Sequence, residues 1–218
     1  GGHNAFVSFS VANREPNRDN FTEAGRDERP QHETLYDYEA GYGFGNSRFH
    51  VGANLYFMDY SNQLILTGKI SEIGEALTSN IKDSYRMGIE LTGGVEIARW
   101  LDWSGNLTLS RNKIKNFIES IEVYDADWNF LREDHNDLGT TDIAFSPDII
   151  ANSMFNFSWK QFSASFNSQF VGRQYIDNTS CKDRSIDPYF VSNLRVGYVF
   201  KPKFMKEIAL DVTINNLF

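Results

Sequence analysis

Long stretches of the chain alternate strictly between apolar and polar residues. From Tyr85 to Ile97 every odd position holds an apolar residue or glycine, whereas the even positions hold polar residues or glycine. Successive side chains of a β-strand point to opposite faces, so a period of two predicts a strand with one apolar and one polar face. The pattern recurs along the chain and predicts nine strands, at 5–12, 35–44, 48–60, 83–97, 101–112, 147–159, 162–173, 189–200 and 207–218.

The lengths of these segments and of their connections favour a membrane protein. A tilted transmembrane strand needs about 9–11 residues, whereas strands of globular proteins average about 5–6. Long connections, at 13–34, 61–82, 113–146 and 174–188, alternate with short ones. Outer-membrane barrels have tight periplasmic turns at one rim and long extracellular loops at the other. The chain is therefore predicted to be all-β and to form an antiparallel, up-and-down transmembrane β-barrel, crossing the outer membrane of a Gram-negative cell several times.

The strand directions implied by this topology place aromatic residues at both rims. Aromatic belts are typical of the two membrane–water interfaces. The periplasmic rim collects Tyr42, Phe44, Phe49, Trp103, Trp159, Phe162, Tyr198 and Phe200, and the outer rim collects Tyr36, Tyr38, Phe57, Tyr85 and Phe190. Two charged residues, Asp59 and Arg111, occupy positions on the otherwise apolar face of their predicted strands. Both lie at outer strand ends, where a charge costs about 0–1 kcal/mol instead of about 2–4 kcal/mol for Arg or Lys at the bilayer midplane.

Composition excludes several other classes of protein. The formal net charge of -8 disfavours nucleic-acid binding, which requires a basic surface. The chain has no apolar run of about 18 residues, so a transmembrane helix is excluded. A mean hydropathy of -0.43 is compatible with a barrel, because the hydropathies of the alternating apolar and polar residues in barrel strands cancel in the average. A single cysteine, Cys181, forms no internal disulfide or metal-binding pair, and no cofactor or metal site is predicted.

The number of predicted strands indicates part of a larger barrel. Single-chain bacterial barrels have an even number of strands. An open sheet in lipid would leave unpaired backbone groups at its edges, each costing several kcal/mol. With nine segments, the last ending at the outer rim, at least one returning strand is expected beyond this chain. Residues 1–218 are thus expected to be a partial barrel domain.

Particular stretches of the chain resemble a known family. They are 8–21, 55–69, 80–91, 145–147, 171–179 and the closing 211–218, which reads DVTINNLF. In these stretches the chain is similar to the C-terminal part of the barrel of TonB-dependent outer-membrane receptors, especially those of Bacteroidetes. The resemblance implies a barrel of about 22 strands around an N-terminal plug domain. The plug and the last strand would both be absent from this chain.

The resemblance also implies a function and partners. Receptors of this family import scarce ligands such as iron–siderophores, cobalamin or glycans, and the TonB complex supplies the energy through the N-terminal region. The expected partners are therefore the TonB complex, a small nutrient ligand, and the lipid and lipopolysaccharide of the outer membrane. No nucleic acid is expected, and neither is enzymatic activity.

Polar residues on the inward-facing track and in the long connections are candidates for ligand contacts. Charged side chains inside a barrel can contact a plug or a passing ligand, although a wide, wet lumen is polar in any case. The arginines of the first long connection, with Arg26 and Arg29, could hold an anionic ligand or a lipopolysaccharide phosphate, but interleaved acidic residues offer internal pairing. The candidates are Arg14, Arg18, Asp37, Glu39, Arg86, Glu90, Trp128, Arg173 and Asn178.

The third long connection, 113–146, is acidic and begins like a calcium-binding loop. Asp125, Asp127 and Asn129 occupy positions 1, 3 and 5 of the EF-hand pattern, but Phe130 and Asn136 replace its required glycine and glutamate. The motif therefore fails, and a solvated, mobile loop is expected here, with irregular calcium binding by this outer loop as the alternative.

Three alternatives to a gated importer are compatible with parts of the sequence. An outer-membrane enzyme would need paired carboxylates or a Ser/His set at the outer rim, and no catalytic set is evident. A passive porin would lack the plug domain. A soluble β-sandwich binding module would bury Ile89, Leu107 and Phe166 against a second layer.

Overall fold

The computed structural model of the chain consists mainly of antiparallel β-strands, and it describes residues 1–23, 29–70 and 76–218. No helix within these ranges is long and apolar enough to span a membrane. The elements in chain order are β1 (Gly2–Arg14), α1 (Arg18–Glu23), β2 (Glu33–Gly45), β3 (Phe49–Ile70), β4 (Ala76–Ala98), β5 (Leu101–Tyr124), β6 (Phe130–Asp142), β7 (Ile149–Trp159), β8 (Phe162–Val171), β9 (Gln174–Tyr175), a 3-10 helix (Lys182–Arg184), β10 (Ser185–Ile186), β11 (Tyr189–Phe200) and β12 (Ile208–Ile214).

One large antiparallel sheet contains all nine predicted strands. Its order is β1-β2-β3-β4-β5-β7-β8-β11-β12, so each strand pairs with the next in the chain, and β6 pairs with the outer part of β5. β9 and β10 form a separate two-stranded ladder within the fourth long connection. The predicted all-β, up-and-down antiparallel arrangement is confirmed. The predicted strand at 207–218 is shorter than expected and ends at Ile214.

The register of the sheet places the apolar tracks of different strands on one face. Directly opposed residues of antiparallel strands point to the same side. Leu91 lies opposite Ala53 and Leu107, Leu107 lies opposite Ala151, and Ala151 lies opposite Phe170. We call this side the apolar face and the other side, which carries the charged residues of β2 and β4, the polar face. The alternation within each strand thus produces one continuous apolar face and one continuous polar face across the sheet.

The apolar face is not covered by a second layer of the described protein. Ile89, Leu107 and Phe166 are each partly exposed, and large side chains such as Leu55 and Ile97 are more than half exposed. Among the described residues, the buried apolar side chains are Leu64, Ile65, Ile114, Ile143, Ala144 and Val171. Most of these belong to the outer parts of β3 and β5 and to the segment after β6. Within the described residues, therefore, no second layer buries Ile89, Leu107 and Phe166 as a sandwich formed by this chain would.

Besides the β9–β10 ladder in the fourth long connection, the second and third long connections contain further strand. β3 and β4 extend well into 61–82, and β5 continues to Tyr124 and turns back through β6. The expectation of a mobile loop at 113–146 is therefore wrong. Residues such as Ile118, Ile121 and Val123 favour extended backbone. A positive φ of 53° at Asn116 and register shifts around Phe117 interrupt the alternation. The sequence pattern therefore does not reveal the outer part of β5.

Candidate functional site

A cavity of about 350 Å³ opens on the polar face, between β2–β5 and the segment 145–147 that follows β6. We call it the polar cavity. Its floor is the sheet, and its roof is the overlying segment. The volume lies near the lower end of the range for small-molecule sites, about 300–1,000 Å³.

Cross-strand register builds the floor of the polar cavity. Glu39 of β2 lies opposite Tyr56 of β3, and Tyr56 lies opposite Gly88 of β4. A Cβ at position 88 would lie 2.7 Å from the Tyr56 hydroxyl oxygen and 2.5 Å from the Leu109 carbonyl oxygen. Glycine is therefore needed here, because it lets the tyrosine ring lie close to the neighbouring strand. Glu90, two residues further along β4, extends the same polar track.

Arg86 connects the floor to the roof. Its Nη1 donates a hydrogen bond to Ser146 Oγ at 3.0 Å and a longer one to Asn112 Oδ1 at 3.4 Å. Ser146 Oγ in turn donates to the Ala144 carbonyl at 3.1 Å. Among the described residues, Arg86 is the only arginine that lines the cavity, and it already has partners within the protein.

Asn178 holds the roof in place from the fourth long connection. Its Oδ1 accepts a hydrogen bond from the Ala144 backbone N at 2.9 Å, and its Nδ2 donates to the Leu66 carbonyl at 2.5 Å. The side chain is 2% exposed. The adjacent Phe145 backbone N donates to the Tyr175 carbonyl at 2.8 Å. Three distant parts of the chain are thereby joined at the roof.

Charged side chains join the same outer segments at their periphery. Arg184 pairs with Asp177 at 2.9 Å and with Glu119 of β5 at 3.0 Å. Asp142, at the end of β6, pairs with Lys113 and accepts a hydrogen bond from Ser180 Oγ at 2.8 Å. The third and fourth long connections therefore pack as one ordered unit over the sheet.

Several hydrogen-bond acceptors in the polar cavity have no donor among the described residues. Asn54 Oδ1 is buried and has no partner among the described residues. The carboxylates of Glu39 and Glu90 line the same cavity and, within the described ranges, accept no hydrogen bond. A buried acceptor without a donor is unfavourable by about 1–3 kcal/mol, which applies to Asn54 Oδ1, whereas Glu90 is exposed and can be hydrated.

Comparison with known proteins places the chain in a family. A sequence model described as "TonB dependent receptor-like, beta-barrel" matches residues 2–217. The chain belongs to this family. No curated protein sequence matches the chain.

Solved structures share the fold of this TonB-dependent receptor barrel. The copper transporter OprC matches with a TM-score of 0.69 and 14% identity, over 99% of this chain and 31% of that chain. A mutant of the ferric enterobactin receptor PfeA from Pseudomonas aeruginosa matches with a TM-score of 0.62 and 17% identity, over 99% and 32%. The ferric yersiniabactin uptake receptor FyuA from Yersinia pestis matches with a TM-score of 0.68 and 16% identity, over 99% and 30%. The chain spans about a third of the length of each structure.

The receptor barrel brings together three of the candidates chosen from sequence. Glu39, Arg86 and Glu90 line the polar cavity. Asp37 lies on the same face of β2, opposite the cavity residue Met58, and its buried Oδ1 has no partner in the described part of the chain. These four residues remain candidates for contact with a ligand.

The other candidates lie outside the polar cavity. Asn178 is buried and holds the roof, as described above. Arg173 donates to Ser185 Oγ at 2.7 Å and pairs with Asp187 at 2.7 Å. Its nearest partners therefore belong to the fourth connection.

The remaining candidates lie at exposed outer positions. Arg14 ends β1 and Arg18 begins α1, and both are exposed. Trp128 is 84% exposed at the tip of the β5–β6 hairpin, where its ring centroid lies 6.3 Å from that of Tyr124. Arg26, a further arginine of the first connection, lies outside the described residues.

Sequence reasoning did not select Phe145 and Asn54 as site residues, although both line the polar cavity. Phe145 belongs to the stretch 145–147, which carried only the family resemblance. Its position depends on a positive φ of 52°, which no sequence pattern signals for a phenylalanine. Asn54 belongs to the polar track of β3, and its alternation could have identified it.

The tip of the β5–β6 hairpin uses the calcium-like residues to close a turn. Asp125 Oδ1 accepts hydrogen bonds from the backbone N of Asp127 at 2.9 Å and of Asn129 at 2.8 Å, and Oδ2 accepts from Asn129 Nδ2 at 3.0 Å. These donors, with the Asn129 side chain first, hold the pKa of Asp125 below its usual value. In the described ranges, no group of three or more His, Cys, Asp or Glu residues is arranged to hold a metal ion.

The turn at the hairpin tip is expected to open only in acid. Because the folded-state pKa of Asp125 is lowered, its stabilising effect is present above the ordinary aspartate pKa of about 3.9 and disappears as the pH falls through the lower folded value. Hydrogen exchange should show the amide of Asn129 equally protected at about pH 7 and about pH 5, after correction for intrinsic rates. In Asn129→Ala, protection should be lost at a higher pH, and equal behaviour of the two proteins would contradict the assignment.

Proposed function

We propose that this chain is part of the barrel of an outer-membrane receptor that imports a scarce nutrient with energy from the TonB complex. The observation that carries the proposal is the register of the ten-stranded sheet. It collects the apolar residues on one face and the polar residues on the other, and every strand along the sheet order except β12 is long enough to cross a bilayer. Membership of the TonB-dependent receptor family supports the same reading.

The apolar face would lie against membrane lipid. Side chains such as Leu55 and Leu109 are exposed in this chain, and contact with acyl chains would remove them from water at a gain of about 25 cal/mol per Å². Tyrosines and phenylalanines near both strand ends would anchor the sheet at the interfaces. At the outer end, Arg14 and Arg18 are exposed and could contact lipopolysaccharide phosphates.

The polar face would line the passage, and the polar cavity would be one binding position along it. Its carboxylates, Glu39 and Glu90, would bind a ligand and catalyse no covalent step. This proposal is supported by the resemblance to transport proteins, whose names describe copper transport and ferric yersiniabactin uptake. Contact with TonB would be made by a part of the receptor other than this barrel segment.

The test is TonB-dependent uptake by the full-length receptor. Strains with and without the receptor gene would be grown on one limiting nutrient at a time: ferric siderophores, cobalamin or neutral oligosaccharides. We expect growth on one of these classes to require both the receptor and TonB, because a plugged receptor opens only when energised. Growth that requires the receptor but not TonB would support a passive porin instead and would overturn the proposal.

A further inference from the structure

The tip of the β5–β6 hairpin exposes three large aromatic side chains, Tyr124, Trp128 and Phe130, which we call the tip cluster. We propose that the tip cluster is a docking surface for a protein whose contact face is basic. This inference goes beyond nutrient import, and it rests on the proposed function only for the placement of the long connections outside the cell.

The tip cluster forms one connected apolar patch. Trp128 is 84% exposed, Phe130 is 59% exposed and Tyr124 is 43% exposed. The ring centroid of Tyr124 lies 6.3 Å from that of Trp128 and 5.9 Å from that of Phe130, within the usual range for aromatic pairs. Connected apolar patches in water are typical of interaction sites, and tryptophan and tyrosine are common among the residues that contribute most to protein binding.

The turn at the tip holds the Trp128 ring in solvent. The φ of Trp128 is 63°, a conformation that bulky residues rarely adopt. The backbone N of Trp128 donates to the Asp125 carbonyl at 3.1 Å, and the Asp125 carboxylate accepts from the backbone N atoms of Asp127 and Asn129. Because these bonds fix the turn before any contact is made, less conformational entropy is lost when a partner binds.

The tip cluster protrudes from the molecule and does not line a cavity. β5 pairs with β7 as far as Leu109 and with β6 from Lys113 to Tyr124. At about 3.3 Å per residue, the hairpin reaches up to about 35 Å beyond Lys113. Within the described ranges, the hydrogen bonds and ion pairs of residues 124–132 remain inside the hairpin. Small molecules bind in concave sites, so a protruding aromatic surface fits a macromolecule.

The charge around the tip cluster selects the kind of macromolecule. Between positions 122 and 134 the hairpin has one basic residue, Arg132, and its guanidinium pairs with Asp134 at 2.8 Å. The same stretch has five acidic residues, Glu122, Asp125, Asp127, Glu133 and Asp134. Like charges repel, which disfavours nucleic acid, lipopolysaccharide phosphates and the same hairpin of a second copy. A basic protein surface complements this charge.

Photo-crosslinking in intact cells tests the docking surface. The full-length receptor would carry p-benzoylphenylalanine in place of Trp128 or, as a control, in place of Trp100, which is exposed in the turn at the opposite end of the sheet. We expect a covalent adduct with one protein from position 128 and not from position 100. No protein adduct at position 128, or an adduct only with lipopolysaccharide or a second receptor, would overturn the docking proposal. Uptake that does not require TonB would instead overturn the proposed function.

The salt dependence of binding tests whether the partner's contact face is basic. Mass spectrometry identifies the crosslinked protein, and calorimetry measures its binding to the receptor in lipid nanodiscs. Between about 0.05 M and about 0.5 M NaCl the Kd should rise at least about tenfold, because salt screens exposed charges. The double variant Asp127→Asn, Glu133→Gln should bind more weakly and with a smaller salt dependence. An affinity that does not change with salt would contradict the charge assignment.

Trp128→Gly separates docking from folding. Glycine relieves the positive φ, so the melting temperature should stay the same or rise. Because the exposed indole is lost, the affinity for the purified partner should fall about thirtyfold. Trp128→Phe should keep the affinity within about fivefold. Phe204→Gly should leave it unchanged, since Phe204 is 81% exposed in the connection between β11 and β12 at the opposite end. A Trp128→Gly receptor with the parental affinity would refute the proposal.

Discussion

Leu107→Arg is expected to lower the free energy of unfolding of the full-length receptor in a bilayer by about 2–4 kcal/mol. Leu107 lies near the middle of the membrane-spanning part of β5, on the apolar face, with Leu91 and Ala151 opposite it. A charged side chain there would lose its hydration in hydrocarbon. Reversible urea unfolding of the receptor in lipid vesicles measures the change.

Asn106→Arg is the matched control for this substitution. Asn106 is the preceding residue of β5, is exposed on the polar face and accepts a hydrogen bond from Asn152 Nδ2 at 3.0 Å. Its replacement should change stability by less than about 1 kcal/mol, because an arginine in a watery passage stays hydrated. If both variants were equally destabilised, the assignment of one face to lipid would be wrong.

Asn178→Ala is expected to release the roof of the polar cavity. The substitution leaves the Ala144 N–H and the Leu66 carbonyl without their partner, at about 1–3 kcal/mol for each buried group. Because the membrane strands do not depend on this side chain, the barrel itself should remain folded. Hydrogen exchange should therefore show faster exchange at 143–147, with unchanged protection in β7 and β8.

Asn156→Ala provides a comparison at an exposed hydrogen bond. Asn156 Nδ2 donates to Asp102 Oδ2 at 2.9 Å, and both groups can be hydrated when the bond is removed. Its loss should leave exchange at 143–147 unchanged. Equal exchange in Asn178→Ala and the parent protein would show that Asn178 does not hold the roof.

The predictions for Leu107→Arg and Asn178→Ala concern two parts of the molecule with different stabilities, the membrane sheet and the outer segments. The sheet is stabilised by backbone pairing and by the surroundings of its apolar face, whereas the outer unit is stabilised by a few specific side chains such as Asn178, Arg184 and Asp142. Local opening of such a unit costs less than global unfolding. A receptor could therefore adjust its outer segments around a ligand while its membrane strands stay paired.

The sequence predicted the strands well and the outer segments poorly. Nine of the ten strands of the main sheet were identified, because alternation is a local property of each strand. The outer part of β5 was missed because Asn116 and the register shifts near Phe117 interrupt the alternation, and β6 was missed because its own residues, FLREDHNDLGTTD, do not alternate. Glu39, Arg86 and Glu90 were recognised as inward-facing polar residues, but their assembly around one cavity was not predicted.

By itself, the sequence determined the fold class, the two faces of the sheet and the family, since each depends on the order of residues within short segments. Only the tertiary structure decided which residues meet at the site. Arg86 and Ser146 are 60 residues apart, and Asn178 and Leu66 are 112 residues apart. The position of the Phe145 ring follows from such contacts, because they fix its backbone in a conformation that its own local preference disfavours.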